Sequence, residues 1–232
     1  MRPRLGLFLA ACAITVLPIS AKAESDLYIT LQGGLNLLSD SSISSSVGDA
    51  VGGASEAEFR SGFTVGGALG SIYRFRGNAG REFRLRPELD LSYRSNNVDS
   101  FTFTTADGQS VSMSGVGDVS ALSGLANVWV DAPQLGAVRP YAGGGIGISH
   151  IKLDDTGVRA DGFDFSFAND SDNVFTWQLG AGVGIELTQE MSLGVDYRWL
   201  MTQDPEFSDS TGSAFDSEFS SHSFMGSIRY NF

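Results

Sequence analysis

The chain has 232 residues, with 15 basic and 27 acidic side chains and a formal net charge of −12 at pH 7. So acidic a chain lacks the basic surface that nucleic acids require, and we expect no nucleic-acid partner. The single cysteine, Cys12, excludes a disulfide framework within the chain.

The first 23 residues have the pattern of a secretory signal peptide. Two arginines precede an apolar stretch over residues 5–19, and an Ala-x-Ala cleavage pattern ends at Ala23. The apolar stretch is too short for a membrane-spanning helix, which needs about 20 residues. We therefore expect residues 1–23 to be removed and residues 24–232 to form one barrel domain. Removal takes away three basic residues, which leaves 12 against 27 acidic residues and a net charge of −15.

A second processing site remains open at Cys12. The sequence Leu-Ala-Ala-Cys over residues 9–12 fits the lipobox of a bacterial lipoprotein. Cleavage there would leave an apolar region at the lower limit of the usual length of about 7–15 residues. We therefore favour cleavage after Ala23, and a diacylated Cys12 at the mature N-terminus would contradict that choice.

Beyond the signal region, apolar and polar side chains alternate in repeated segments of about ten residues, which is typical of membrane-spanning β-strands. No window of 18 apolar residues that could form a transmembrane helix is present in the sequence. We predict eight strands, over residues 27–37, 59–73, 83–94, 119–130, 138–151, 174–187, 191–201 and 219–232. An even number of strands places both ends of the barrel domain on the same side.

Aromatic residues recur near the ends of the apolar faces of these strands. Outer-membrane barrels carry such residues as two girdles at the bilayer interfaces. We assign eight residues to the outward girdles: Tyr28, Phe63, Tyr73, Tyr93, Trp177, Tyr197, Trp199 and Tyr230.

The links between the predicted strands alternate in length. Links after odd-numbered strands are long and cover residues 38–58, 95–118, 152–173 and 202–218, whereas those after even-numbered strands are short and cover residues 74–82, 131–137 and 188–190. Short periplasmic turns and long extracellular loops are typical of outer-membrane barrels. The sequence therefore predicts an all-β fold, an eight-stranded antiparallel up-and-down transmembrane β-barrel.

Glycine is frequent in the sixth predicted strand, where Gly180, Gly182 and Gly184 share a face with Gln178 and Glu186. A dinucleotide-binding interpretation fails because no helix pattern follows these glycines. We expect them to face the lumen and to make room for large side chains from across the barrel.

The mature chain resembles the small outer-membrane barrels of the OmpA transmembrane-domain and Opa-like surface-antigen type. The resemblance is carried by residues 35–42, the Pro-Tyr-Ala-Gly-Gly-Gly stretch within 139–147, the Asp-Tyr-Arg-Trp stretch within 194–199, and residues 227–232. It implies export through the periplasm and a location in the outer membrane of a Gram-negative bacterium. The resemblance stops at Phe232, so we expect no wall-anchoring domain of the kind that full-length OmpA proteins carry.

In barrels of this type, a terminal Phe preceded by alternating hydrophobic residues is recognised by the β-barrel assembly machinery. The resemblance therefore implies an assembly signal in the last strand, made of Phe224, Ile228, Tyr230 and Phe232.

Alternation also predicts a set of charged side chains that face the lumen: Arg84, Arg86, Glu88, Asp90, Arg94, Glu186, Asp196, Arg198 and Arg229. An eight-stranded barrel is only just wide enough for side chains, and an unpaired buried charge costs several kcal/mol. We therefore expect these charges to pair. Paired charges would form either a rigid plug in a structural or surface protein, with an envelope-integrity or adhesion-like role, or the gate of a small porin-like channel for ions or small solutes. We favour the plug.

Two other function classes are disfavoured. A secreted, lipocalin-like barrel would expose its outward apolar faces to water over a large area. An enzyme would need a nucleophile beside a base. Ser149 directly precedes His150 and Ser223 directly follows His222. Adjacent residues of a strand point to opposite faces, so neither serine lies beside its histidine. We therefore predict no catalytic residues.

The four long links are acidic, with only Lys152 and Arg159 as basic residues. We expect them to be mobile and solvated, and exposed loops on a rigid scaffold are where recognition usually occurs. The partners we expect are outer-membrane lipids, lipopolysaccharide and a host or cell-surface ligand bound by these loops. The spacing of Asp161, Asp164, Asp170 and Asp172 lacks the EF-hand pattern, so we expect no metal site and no cofactor.

Overall fold

The computed structural model describes residues 26–39, 41–45, 54–59, 61–77, 80–104, 110–160, 163–203, 206–208, 214–216 and 220–232. The predicted signal peptide and Cys12 lie outside these ranges. None of the described residues belongs to a helix that is long and apolar enough to cross a membrane.

The described part of the chain contains twelve strands. In chain order they are β1 (Asp26–Leu38), β2 (Ser41–Ser45), β3 (Ala54–Phe59), β4 (Gly62–Arg76), β5 (Glu82–Thr104), β6 (Ser110–Asp131), β7 (Val138–Ala160), β8 (Phe163–Glu186), β9 (Met191–Thr202), β10 (Glu206–Ser208), β11 (Ala214–Asp216) and β12 (Ser220–Asn231). Eight of them, β1, β4, β5, β6, β7, β8, β9 and β12, form a closed antiparallel ring in which β12 pairs with β1. The predicted fold class and strand number are confirmed.

The register of the ring determines its shape. A path from partner to partner starts at Leu38 of β1, passes around all eight strands and returns to Tyr28, ten residues lower on the same strand. A shear of ten over eight strands, with about 3.3 Å per residue and about 4.8 Å between strands, corresponds to a tilt of about 40°. A barrel of this size has an interior only just wide enough for side chains.

One end of the ring carries short connections, between β4 and β5, β6 and β7, and β8 and β9; we call it the short-turn end, and the opposite one the outer end. At the short-turn end the predicted strand limits agree with the structure to within three residues. At the outer end β5 to β8 continue well into the stretches predicted as links, because their backbones keep pairing. Ser100 to Thr104 pair with Ser110 to Ser114, for example.

The four short strands extend the wall beyond the outer end. β3 pairs with β5 above the point where β4 begins, β2 pairs with β3, β11 pairs with β2, and β10 pairs with β11. The predicted long links 38–58 and 202–218 therefore contain hairpins rather than only loops.

Apolar side chains cover the outside of the ring. Leu31, Leu69, Leu89, Ile148 and Val195 are each 60–66% exposed. An apolar surface of this extent is unsuited to water and matches the lipid-facing band of a transmembrane barrel.

Aromatic side chains flank this apolar band at both ends. The outer group contains Phe63, Tyr93, Trp177, Tyr197, Trp199 and Phe224, and the short-turn group contains Tyr73, Phe75, Phe83, Tyr230 and Phe232. Seven of the eight predicted girdle residues point outward. The assignment of Tyr28 is wrong: it is 1% exposed because its neighbours Leu27 and Ile29 take the outward positions.

Glycines on the inner face admit the large rings of the interior, as the sequence predicted for Gly180 and Gly182. The glycines and the rings beside them are Gly70 and Tyr28, Gly143 and Gly180 with Trp129, and Gly182 and Tyr141. A Cβ atom at any of these positions would come closer than 3 Å to a ring atom. Large inward side chains on some strands therefore depend on missing side chains on others.

We expect Gly180→Val to destabilise the barrel. A Cβ atom at residue 180 would lie 2.9 Å from Cη2 of Trp129 and 3.0 Å from the backbone oxygen of Tyr197, and overpacking of this kind costs about 1–3 kcal/mol. Urea unfolding of the refolded barrel in phospholipid vesicles measures the loss. Gly124→Val is the matched control, since a Cβ atom at Gly124 has no atom within 4 Å; equal losses in the two variants would contradict the explanation.

Candidate functional site

The interior of the barrel is organised around the indole ring of Trp129 on β6. The ring is buried above Gly143 and Gly180, Tyr141 meets it edge to face at 5.9 Å, and the guanidinium of Arg198 lies 5.1 Å from the ring centroid. A cation over an indole face is attracted by the ring quadrupole. Trp129 therefore links polar side chains from β7 and β9 to the wall formed by β6.

Glu88 on β5 accepts hydrogen bonds from three neutral donors. The indole Nε1 of Trp129 donates to Oε1 at 2.8 Å, Nδ2 of Asn127 donates to the same oxygen at 3.3 Å, and the hydroxyl of Tyr28 donates to Oε2 at 2.9 Å. Hydrogen bonds to an ionised acceptor are stronger than those between neutral groups. Three neutral side chains from two strands, β1 and β6, thus hold this buried carboxylate.

Arg198 on β9 bridges two carboxylates. Its Nε donates to Oδ1 of Asp196 at 2.7 Å and its Nη1 donates to Oδ2 of Asp90 at 3.1 Å. Its Nη2 also donates to Oε1 of Gln32 at 2.7 Å, and the hydroxyl of Tyr141 donates to the other carboxylate oxygen of Asp196, Oδ2, at 2.9 Å. This group crosses the lumen from β9 to β5 and β1.

A second cluster of charges fills the short-turn end. Arg86 donates to Asp131 at 2.7 Å, with both side chains almost completely buried, and its guanidinium lies 5.0 Å from the ring centroid of Tyr141. Arg84 contacts Glu82 at 3.1 Å and Glu186 at 2.6 Å. At the rim of the same end Arg74 pairs with Asp26, and Arg139 lies 3.5 Å from Glu186.

Toward the outer end, the charges give way to hydroxyls and amides around Arg94. This guanidinium is 1% exposed, and its Nη1 donates to the hydroxyls of Ser92 and Ser123 at 3.1 and 3.3 Å. The hydroxyls of Ser123, Ser149 and Thr176 form a chain with 2.7 Å contacts. On the facing strands Asn36 donates to Asn96 at 2.6 Å.

An apolar layer lies above this polar layer. Its inward side chains come from β1, β6, β7 and β8, and all are 1–9% exposed: Leu38, Val119, Ala121, Ile151, Leu153 and Val174. The inner face of the barrel is therefore mostly polar at the short-turn end and in the middle, where Ile72, Leu125 and Met225 are buried exceptions, and mostly apolar near the outer end.

Most residues of the predicted lumen set lie inside the barrel. Arg86, Glu88, Asp90, Arg94, Asp196 and Arg198 are buried, Arg229 is half-buried, and Arg84 and Glu186 lie at the short-turn rim. The expectation that all of them pair with opposite charges is wrong for three. Within the described residues Glu88 is held by neutral donors, Arg94 by hydroxyls, and Arg229 by the ring of Tyr28, 5.0 Å from its guanidinium. Neutral donors at Glu88, hydroxyl acceptors at Arg94 and an aromatic face at Arg229 take the place of counter-ions.

The sequence did not reveal the neutral members of the network, the further charges at its rim or the buried Asp131: Asp26, Tyr28, Gln32, Glu82, Asn127, Trp129, Asp131, Arg139 and Tyr141. A signal for the three on β6 was available. Asn127, Trp129 and Asp131 alternate with the outward Val128 and Val130, which places all three on the inner face.

The two histidines lie on the outer surface and the neighbouring serines lie inside. Nδ1 of His150 is 3.1 Å from Oδ1 of Asn173, and Nδ1 of His222 is 2.6 Å from the hydroxyl of Tyr197. Ser149 and Ser223 are 0–1% exposed and point into the lumen. Hydroxyl and imidazole are therefore separated by the barrel wall. In the part of the chain that the structure describes, no group of three or more His, Cys, Asp or Glu could hold a metal ion.

The predicted assembly-signal residues all face outward, on β12 or directly after it: Phe224, Ile228, Tyr230 and Phe232 are 42–76% exposed. The strand is anchored where the ring closes, since the backbone N–H of Phe232 donates to the carbonyl of Leu27 at 2.9 Å. Their role in assembly stays a prediction.

A closed antiparallel ring with an apolar outside, aromatic girdles and a polar interior defines an integral β-barrel membrane protein. The chain belongs to the family of the outer membrane protein beta-barrel domain, whose model matches residues 8–232. It is accordingly a protein of the bacterial outer membrane, where barrels of this kind turn their short connections toward the periplasm and their long ones toward the cell exterior.

Individual relatives are more distant. Outer membrane protein PagN of Salmonella typhimurium is 25% identical over 239 residues, which cover 97% of this chain and 99% of the relative. An uncharacterised protein of Brucella abortus is 33% identical over 85 residues, which cover 35% of this chain and 30% of the relative, so the match spans only about a third of that protein.

Two solved structures are similar to this chain at low sequence identity. The outer membrane protease OmpT of Escherichia coli is 7% identical, with a TM-score of 0.53 over 91% of this chain and 98% of that chain. Neisserial surface protein A is 17% identical, with a TM-score of 0.48 over 89% and 97%. At these identities the likeness concerns the fold alone.

We expect Asp131→Asn to destabilise the barrel by about 3–5 kcal/mol, because it leaves the buried guanidinium of Arg86 without its carboxylate. The free energy of unfolding in vesicles measures the effect. Asp26→Asn is the matched control. It removes the partner of Arg74, which is exposed by 40%, and exposed pairs contribute about 1 kcal/mol or less. Similar losses for the two variants would refute the importance of burial at Asp131.

Proposed function

We propose that this outer-membrane protein is a closed structural barrel that presents surface hairpins to the exterior, in an envelope-integrity or adhesion-like role. The barrel wall and lumen form a rigid scaffold, and recognition takes place on the parts of the chain beyond the outer end.

The filled lumen is the observation that carries this proposal. A solute that entered from the periplasm would first meet the ion pairs around Arg86, then the ring of Trp129 with Arg198 against it, and then the apolar layer near Ile151. Opening a path requires the polar groups to exchange partners and the apolar side chains to separate. Breaking a buried ion pair by removing one partner costs about 3–5 kcal/mol.

The small porin-like channel is the competing proposal. It requires Arg198 to leave Asp90 or Asp196, which both bind it now. It also requires a water path through Leu38, Val119 and Ile151, which offer no polar atom on their side chains. The closed barrel needs neither change, and we prefer it for this reason.

The paired strands at the outer end support the surface role. β5 to β8 continue beyond the ring, and β2, β3, β10 and β11 add to them through backbone pairing. Recognition residues are commonly placed on such extensions of a rigid scaffold. The partners we propose are lipopolysaccharide and outer-membrane lipids around the wall, and a host or cell-surface ligand at the hairpins. We also propose that the assembly machinery recognises β12 during insertion.

We expect the refolded wild-type barrel to be silent in planar-bilayer recordings at all applied voltages. Glu88→Gln and Asp196→Asn should stay silent as well, because the apolar layer above both residues is unchanged. A porin added to the same bilayer serves as the positive control, since its conductance shows that an inserted channel can be detected. Conductance steps in the wild type that change in Asp196→Asn would favour the gated channel and overturn the closed barrel.

We expect replacement of residues 41–59 by a short Gly-Ser linker to reduce adhesion of expressing bacteria to a cultured mammalian cell layer. The barrel should still fold, since the only ring strand that β3 pairs with is β5, in its outer part, and heat-modifiable gel migration checks this. The control is replacement of residues 132–137, a turn at the periplasmic end. Unchanged adhesion in the 41–59 variant would count against recognition by the hairpins.

A further inference from the structure

A small polar cleft opens at the periplasmic end of the lumen. Its volume is about 80 Å³, and four arginines line it together with two carboxylates: Arg74, Arg84, Arg139, Arg229, Asp131 and Glu186. A single water needs about 10–15 Å³ by a comparable measure. The cleft therefore has room for a small polyatomic anion.

Arg229 is the member of this set without a counter-ion. Among the described residues it makes no hydrogen bond and no ion pair. Its guanidinium lies 5.0 Å from the ring centroid of Tyr28, and its Nε is buried without a partner. Because five donors in a fixed fork suit oxyanions, an unused guanidinium that lines a cleft is a candidate anion ligand.

Charge counting at this end gives the same result. Arg74 has Asp26, Arg86 has Asp131, and Arg84 and Arg139 share Glu82 and Glu186. Five arginines thus meet four carboxylates once Arg229 is included. The nine residues of this count carry one positive charge in excess, in a partly buried place where an unmatched charge is costly.

The polar atoms at the cleft are of mixed type. Besides the arginine donors, Asn231 lines the cleft and its Oδ1 is a buried acceptor without a partner. A fully deprotonated anion offers no donor for such an acceptor. A partly protonated phosphate offers both, since its P–O⁻ oxygens accept hydrogen bonds and its P–OH groups donate them.

We propose that this cleft is a periplasm-facing binding site for one phosphate group, with Arg229 as its main ligand and Arg139 and Asn231 beside it. The phosphate is either a free phosphate or monoester in the periplasm, or the phosphodiester of an ethanolamine lipid headgroup in the inner leaflet, whose ammonium group supplies the donor for Asn231 that the phosphodiester lacks. The chemistry that binds it is the same: a guanidinium fork without a protein counter-ion in a cleft of oxyanion size.

Isothermal titration calorimetry on the refolded barrel in non-ionic detergent and phosphate-free buffer tests the proposal, with inorganic phosphate as the probe. We expect saturable binding of one phosphate per barrel. Arg229→Gln should weaken it by about tenfold or more, because a hydrogen bond to a charged group contributes about 1.5–3 kcal/mol. Arg81→Gln is the matched control. It removes the same charge at the same end from an exposed turn residue outside the cleft, and we expect its affinity to stay within about twofold of the wild type.

A soluble short-chain phosphatidylethanolamine, used below its micelle concentration, separates the two sources. Competition with inorganic phosphate assigns the site to a headgroup, and no competition assigns it to free phosphate. The proposal is overturned if the wild type shows no saturable heat, if Arg81→Gln weakens binding as much as Arg229→Gln, or if chloride at equal ionic strength displaces phosphate. Heat-modifiable migration checks folding, and Arg139→Gln serves as the test variant if Arg229→Gln does not fold.

Discussion

Closure of the sheet with a shear of ten is the constraint on which the rest of the structure depends. In lipid every backbone N–H and C=O must find a partner within the protein, so an open edge between β12 and β1 is not viable. Eight strands at this shear enclose a space about as wide as the side chains that point into it. The interior therefore has to be packed like a core, although its residues are mostly polar. The inward glycines follow from the same limit, because Trp129 fits only where Gly143 and Gly180 have no side chain.

A packed polar interior raises an electrostatic problem that the chain solves by mixing partner types. Ion pairs bind Arg86 and Arg198. Glu88 is instead stabilised by an indole, an amide and a phenol, which bring fewer buried charges into the lumen than an arginine would. Since each additional buried ion carries a desolvation cost of several kcal/mol, neutral donors are an economical way to fix a carboxylate. The large rings of Trp129 and Tyr28 therefore have two roles: they pack the lumen and they donate hydrogen bonds to Glu88.

Alternation in the sequence was enough to predict the closed barrel and the inward position of most charged residues, because a period of two determines the face of a strand. It did not predict their partners, since these depend on register between strands far apart in the chain, such as Asp90 and Arg198. Tyr28 was misplaced because aromatic residue type was given more weight than position between Leu27 and Ile29. The outer parts of β5 and β6 were missed although Phe101 and Phe103 alternate with polar residues and pair with Met113 and Val111. That alternation is short, and pairing across the hairpin, which one strand alone does not reveal, stabilises it.

The interior is also asymmetric along the barrel axis, and this asymmetry connects the closed lumen with the cleft at its periplasmic end. The apolar layer of Leu38, Val119 and Ile151 near the outer end offers no polar partner to an ion, so a charged solute gains nothing by moving toward it. At the periplasmic end, Arg229 has no protein counter-ion, and the cleft beside it is open to solvent. A barrel built in this way can bind an anion at one end without conducting it to the other. Binding and transport therefore require different features of the lumen. The arginines at the periplasmic end provide what anion binding needs. Transport needs a polar path, which the described apolar layer above the arginines lacks.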